Sequence, residues 1–178
     1  MLASFLFEIE DHRRAEGKRY QLGHILLFSI FAILSGAESY RKVHKFIVNH
    51  YPTLNERFTL NWKRMPAYTT IRDIIKGVSA CSMEAAFRKY SASLAEDDIE
   101  KHFVAFDGKV LRGSFDHFHD QKAIQILSAF LTDSQIILAH QEIEAKTNEI
   151  PTAQALMSEL GLENCIFTFD AINCQKKH

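Results

Sequence analysis

Residues 103–109 read Phe103-Val104-Ala105-Phe106-Asp107-Gly108-Lys109, an apolar run that stops on a carboxylate and a glycine. Phe103 to Phe106 is short, continuous and bulky, as a strand buried on both faces would be. The same figure recurs at Ile166-Phe167-Thr168-Phe169-Asp170. A carboxylate at the edge of a buried strand is costly unless a cation or a hydrogen-bond donor meets it. A single aspartate in that place commonly caps the next turn. Two at matched strand ends are a different matter. If the strands are adjacent and parallel, both carboxylates reach one spot and can share a divalent cation. Magnesium or manganese suits hard oxygen ligands of this kind, with water and substrate phosphate completing the shell. Two such ions about 3.5–4 Å apart activate an attacking oxygen and stabilise the leaving one. Asp107 and Asp170 are therefore the candidate catalytic and metal-binding residues.

The segments between them fill in a sheet. Ala123–Thr132 and Gln135–Glu144 are strand candidates separated by Asp133-Ser134, a plausible hairpin turn. Pro151–Leu160 has helical character and Gly161 stands just past its end. The order is strand, strand, strand, helix, strand, with an acid at the end of the first and last strands.

Toward the N-terminus the period changes to that of helices. Leu22–Ser35 is apolar nearly all round and runs into Gly36, a C-cap position. Ser39 caps a second helix through about His50, with Tyr40, Val43, Phe46 and Ile47 on one face. Pro52–Pro66 reads as a loop. Thr70, with Asp73 three residues on, looks like a capping box opening a short helix. Ser82 caps a fourth, whose stripe is Met83, Ala86, Phe87, Tyr90 and Leu94. The expected division is a helical domain over residues 1–98 and a mixed sheet with its helix over 99–178, an α+β protein.

The totals fit this picture. Of 178 residues, 47% are apolar and 24% charged, which argues against disorder or a fibre. Cys81, Cys165 and Cys174 cannot all pair and show no Cys-x-x-Cys spacing, so buried thiols in a reducing, cytoplasmic setting are expected. Leu22–Ala37, as a helix, would be about 24 Å long, short of a roughly 30 Å hydrocarbon core. It also follows a charged stretch, unlike a signal peptide, so no membrane partner is expected. The charge is uneven. Residues 11–89 hold 14 Lys/Arg against 6 Asp/Glu, a surplus of eight, whereas residues 102–178 hold 6 against 10, a deficit of four. A basic front suits phosphate and an acidic rear suits cations, although solvated surface charge gives the same totals.

Beyond these readings lies a resemblance. Phe106-Asp107-Gly108-Lys109-Val110-Leu111-Arg112-Gly113-Ser114 resembles the "D-G-K-x-L-R-G-S" segment of a large family of bacterial DDE transposases that includes the H-repeat-associated proteins. Leu127-Ser128-Ala129-Phe130, Lys146-Thr147-Asn148-Glu149-Ile150-Pro151 and Asp170-Ala171-Ile172-Asn173-Cys174-Gln175-Lys176 resemble its later blocks in the same order. Asp11-His12-Arg13-Arg14, Leu34-Ser35-Gly36-Ala37 and Thr70-Ile71-Arg72 resemble its front. The resemblance implies an RNase H-like fold in which three acids hold two metal ions for DNA strand cleavage and transfer. Asp107 matches the first acid and Asp170 the second. The third, a glutamate on a later helix, has no counterpart before His178, and Glu149 belongs to the Asn-Glu-Ile-Pro block instead. The chain as given is thus expected to be an incomplete RNase H-like domain, deficient in catalysis. It also implies double-stranded DNA at transposon ends as the partner and, at family level, homo-oligomeric assembly.

Lys109 and Arg112 flank the first acid, placed either to reach phosphates or to pair with an acid. In the helical part, the helices from Ser39 and Thr70 could form a helix-turn-helix-like pair. Arg41, Lys42, Lys45, Lys63, Arg64, Arg72 and Lys76 would then face phosphate, though the link between the helices is longer than usual. Solvated charge on a bundle is the competing reading, and from it follows an alternative function: a non-catalytic DNA-binding remnant that occupies transposon ends or pairs with a full-length transposase. Asp116-His117-Phe118-His119-Asp120 contains metal-ligand types but no second cluster, and reads as an exposed loop. Lys146 and Glu149 fit a turn before the helix.

Overall fold

A computed structural model of the chain describes residues 2–94, 102–111, 114, 123–143 and 149–169. They are α+β, and the chain divides into two compact units, Met1–Tyr90 and Ser91–His178. The first is helical: α1 (Leu2–Phe7), a 3-10 turn (Ala15–Arg19), α2 (Leu22–Leu34), α3 (Tyr40–Phe58), α4 (Tyr68–Lys76) and α5 (Ala80–Ala92), which runs two residues into the second unit. Helix α2 is the central one. Its all-round apolar sequence buries Ile25, Leu26, Leu27, Phe28 and Ala32, and the hydroxyl of buried Ser29 is satisfied by donating to the Ile25 carbonyl at 2.6 Å. It ends in a Schellman motif: Gly36, at φ +87°, donates to Ile33, and Ala37 donates to Ala32. No helix among the described residues is long and apolar enough to cross a membrane.

Three helix boundaries differ from the sequence reading. Ser39 does cap α3, accepting from the Lys42 amide at 3.3 Å, but the helix passes through Pro52 and ends only at Thr59, in the left-handed region at φ 49°. A proline inside a helix costs about 3 kcal/mol. Burying an apolar side chain contributes about 1.5–3 kcal/mol, and continuing the helix buries Leu54 and packs Tyr51 and Phe58 on the core. Packing wins. Helix α4 starts at Tyr68, directly after Pro66-Ala67, so Thr70 lies inside it and Asp73 binds Arg72 at 2.8 Å instead of closing a capping box. Helix α5 is capped by Ser79, whose hydroxyl accepts from the Ser82 amide at 3.3 Å.

The second unit contains β1 (His102–Val110), β2 (Gln125–Leu131), β3 (Ile136–Ile143), α6 (Glu149–Leu160) and β4 (Cys165–Phe169). The sheet order is β3-β2-β1-β4, with β1/β2 and β2/β3 antiparallel and β1/β4 parallel. Val104 and Phe106 of β1, Leu127, Ala129 and Leu131 of β2, and Ala139 of β3 form a core with Ala153 and Leu156 of α6. The turn between β2 and β3 is tied back to β1. Phe103 donates its amide to Asp133 Oδ2 at 3.1 Å, and its carbonyl accepts from the Thr132 amide at 2.9 Å. Helix α6 begins two residues before Pro151, a proline tolerated in a first turn where no intrahelical donor is needed.

Candidate functional site

Two neighbouring strands set the site. β1 and β4 run side by side and parallel, with Phe106 in register with Phe169 and their rings stacked at 5.0 Å. Phe106 and Phe169 are the last pair of that ladder among the described residues, while the antiparallel ladder to β2 continues to Val110 opposite Gln125. Asp107 therefore does not end its strand, as its sequence suggests. It sits within β1, opposite Ser128. The extension comes from a non-local partner: β2 offers four more rungs that the apolar run alone does not announce.

Strand alternation then sorts the side chains. Val104 and Phe106 face α6 and the core. Asp107 and Lys109 share the opposite face and form an ion pair at 2.9 Å, with side chains 56% and 74% exposed. Of the two readings of Lys109, the pair with an acid is the one seen in this chain. An exposed pair of this type is worth under about 1 kcal/mol, so it is readily exchanged for another partner. On the α6 side, Gly108 comes against the carboxylate of Glu149: a β-carbon at Gly108 would stand 2.7 Å from Glu149 Oε1. Asp107 and Glu149 thus flank one stretch of β1 backbone from its two faces. Past the strand, Leu111 donates its amide to Ile124 at 2.8 Å, and the Ser114 hydroxyl accepts from the Ile124 amide at 2.7 Å while donating to Leu111. The last serine of the 106–114 stretch therefore fastens the ends of the β1–β2 connection.

As a metal ligand Asp107 offers one accessible hard-oxygen donor, with an ammonium already beside it. Among the described residues no group of three His, Cys, Asp or Glu side chains could hold a metal ion. Asp170, Arg112, Lys146 and the stretch 116–120 lie outside the described residues.

In the helical unit the expected phosphate-facing set divides. Lys42 is bound to Glu38 at 2.7 Å and Arg72 to Asp73 at 2.8 Å. The Arg41 guanidinium lies 4.9 Å over the ring of Tyr68, which joins α3 to the start of α4. Lys45, Lys63, Arg64 and Lys76 are exposed, with no carboxylate partner among the described residues. Arg13, within the 11–14 stretch, has a structural task. It clasps Asp11 at 2.7 Å and donates to the carbonyls of Gly17 and Tyr20, which shapes the 3-10 turn. The guanidinium holds the Asp11 carboxyl below its ordinary value. Sequence reasoning passed over Arg19, at the end of that turn. It also passed over Trp62, whose ring is caged by Tyr20, Tyr51 and Phe28 at 5.1, 5.9 and 6.1 Å. Trp62 is flanked by Asn61, Lys63 and Arg64, and an aromatic set in a polar, basic loop was the available signal.

Residues 3–91 match the family described as DDE_Tnp_1-associated. Over 168 residues, 94% of the chain, it is 31% identical to the "Putative protein YbfL" and 30% identical to the "H repeat-associated putative transposase YhhI", both of Escherichia coli K12. It is 29% identical over 94% of its length to the "H repeat-associated putative transposase YbfD" of the same organism. The chain spans 44% of the length of YbfL and YhhI and 66% of that of YbfD. The chain belongs to the DDE_Tnp_1-associated family, a group of transposition-related proteins.

Proposed function

We propose that this protein handles DNA in transposition, with a DNA-contacting helical unit followed by part of an RNase H-like strand-transfer unit. The observation that carries the reading is the parallel register of β1 and β4. Phe106 lies opposite Phe169, and each is followed in sequence by an aspartate, Asp107 and Asp170. In this reading the two carboxylates hold magnesium or manganese, whose chemistry is to activate the attacking oxygen and neutralise the leaving one. Asp107 would hold the ion from a strand whose pairing with β2 fixes its backbone. Lys109 gives up its pair with Asp107 and turns to a substrate phosphate, as a point charge. The family's chemistry also needs a third carboxylate, and among the described residues no group of three His, Cys, Asp or Glu side chains could hold a metal ion.

The basic surplus of the helical unit supports a second reading, DNA binding without cleavage. Two measurements separate them. Manganese titration followed by electron paramagnetic resonance should show a site weakened by Asp107→Asn and by Asp170→Asn. Unchanged affinity in both variants excludes the metal assignment. In a completed chain that supplies a third acid, magnesium-dependent cutting of duplex DNA from the borders of the gene, lost in Asp107→Asn, marks the strand-transfer reading. Salt-sensitive binding with no cleavage marks the other.

A further inference from the structure

The loop 59–67 is built more rigidly than its sequence suggests. Thr59 and Asn61 are both in the left-handed region, at φ 49° and 51°, so the chain reverses sharply on leaving α3. The carbonyls that follow are held from inside: Tyr51 donates its hydroxyl to the Trp62 carbonyl at 3.3 Å, and buried Tyr20 donates to the Arg64 carbonyl at 3.1 Å. With the Trp62 ring locked among Tyr20, Tyr51 and Phe28, the neighbouring Lys63 and Arg64 side chains are left on the surface. Across from them the 3-10 turn, shaped by the Arg13–Asp11 clasp, presents Arg19.

Two adjoining cavities of about 510 and 550 Å³ share Arg19 and Arg64 in their walls, and the second is also lined by Lys63 and Asn61. They amount to one cleft. Arg19, Lys63 and Arg64 have no carboxylate partner among the described residues, whereas Arg13, Lys42, Arg72, Arg88 and Lys89 of the same unit do. Glu16 is the one acid in the lining. Three cations held close together without counterions repel one another, and an anion between them relieves that repulsion.

We propose that this cleft is a phosphodiester-binding site that grips the backbone of duplex DNA through Arg19, Lys63 and Arg64. The choice of DNA over other phosphates rests on the transposition reading above. The choice of duplex rests on the same reading. Single strands are held by stacking bases on aromatic faces, and Trp62, which also lines the second cavity, already has its ring stacked on Tyr51 and in T-shaped contact with Tyr20 and Phe28. Contacts to phosphate alone position a protein on the helix and carry no sequence information. The cleft therefore supplies affinity and register, independent of base sequence.

The test is fluorescence anisotropy of the whole chain with a labelled random-sequence duplex and with a single strand of equal length, across a salt series. Arg19→Ala combined with Arg64→Ala should weaken duplex binding roughly tenfold at low salt and lower the slope of log affinity against log salt by about two. Glu16→Gln should tighten binding at low salt, a gain that no unfolding can mimic. A paired cation outside the expected phosphate-facing set serves as the control, and Lys89→Ala should change little. Wild-type chain that binds duplex with an affinity untouched by either cleft change overturns the cleft and leaves the DNA reading intact. Folded wild-type chain that binds no duplex overturns both. Single strand preferred over duplex, with the same variants weakening it, rejects the duplex assignment.

Discussion

The carboxylate of Glu149 occupies the space that a side chain at Gly108 would need, with Oε1 2.7 Å from the ideal β-carbon position. The glycine is there for room. Its φ lies outside the left-handed region, so alanine is compatible with the backbone, and such a change ordinarily stabilises a protein by about 0.4–1 kcal/mol through the unfolded state. In this chain the gain should be reduced, because Glu149 must swing away from β1. With Glu149→Ala the obstacle is gone and Gly108→Ala should then raise the melting temperature. A double-mutant cycle by thermal denaturation reads the coupling. Additive effects of the two changes would show that the contact does not constrain either residue.

In the proposed metal reading of Asp107, Lys109 competes with the ion for its carboxylate. The pair is exposed on both sides, so Lys109→Met should shift stability by less than about 1 kcal/mol. Its electrostatic effect on a bound cation is the more telling one: removing an ammonium 2.9 Å from the carboxylate should tighten manganese binding at Asp107. Weaker binding in Lys109→Met would mean that the lysine orients the carboxylate. Melting temperature and manganese affinity, measured on the same sample, separate the two effects.

How much of this could be read beforehand depends on how local each cause is. Helix α2 was legible because its apolar residues and Gly36 lie within one continuous segment. The parallel neighbours β1 and β4 were legible as a condition of the two aspartates acting together, since each strand announces itself as an apolar run. The extent of α3 was not legible. Pro52 is a strong local signal to stop, and the opposing burial of Leu54 and Phe58 exists only once α2 is in place. The depth of Asp107 within β1 was hidden for the same reason, because β2 supplies the rungs beyond Phe106. Ser79 and Ser82 both precede helical sequence, and only the hydrogen bond identifies the cap. The packing of Glu149 on Gly108 joins residues far apart in the chain, and no spacing rule connects them.

Pro52 provides a test of the balance drawn for α3. Replacing it by alanine restores a backbone donor and removes the ring's clash with the preceding turn, while the unfolded chain gains some freedom. The first effect is larger, about 3 kcal/mol against less than about 1 kcal/mol. Pro52→Ala should therefore raise the midpoint of chemical denaturation of the helical unit. A lowered midpoint would show that the helix is bent at this residue to fit α2, and that straightening it costs packing.

The helical unit should also lose stability in acid in two separate windows. His24 packs among Phe7, Phe28 and Phe58, with ring centroids at 4.8, 5.6 and 5.8 Å, and burial lowers its affinity for a proton below the ordinary value of 6.5. As pH falls through 6.5, the unfolded chain takes up a proton that the folded one refuses, so stability declines from there to the lower folded-state value and then levels off. Asp11 acts in a lower window. Arg13 holds its carboxyl below the ordinary 3.8, so its contribution is full above 3.8 and disappears as pH falls through the folded-state value. Thermal melts across pH should show both declines. His24→Phe keeps an aromatic ring in the cluster and should flatten only the upper one, whereas Asp11→Asn should reduce only the lower one, to which Glu38, held low by its hydrogen bond with Lys42, also contributes. An upper decline that persists in His24→Phe would place its origin in another histidine.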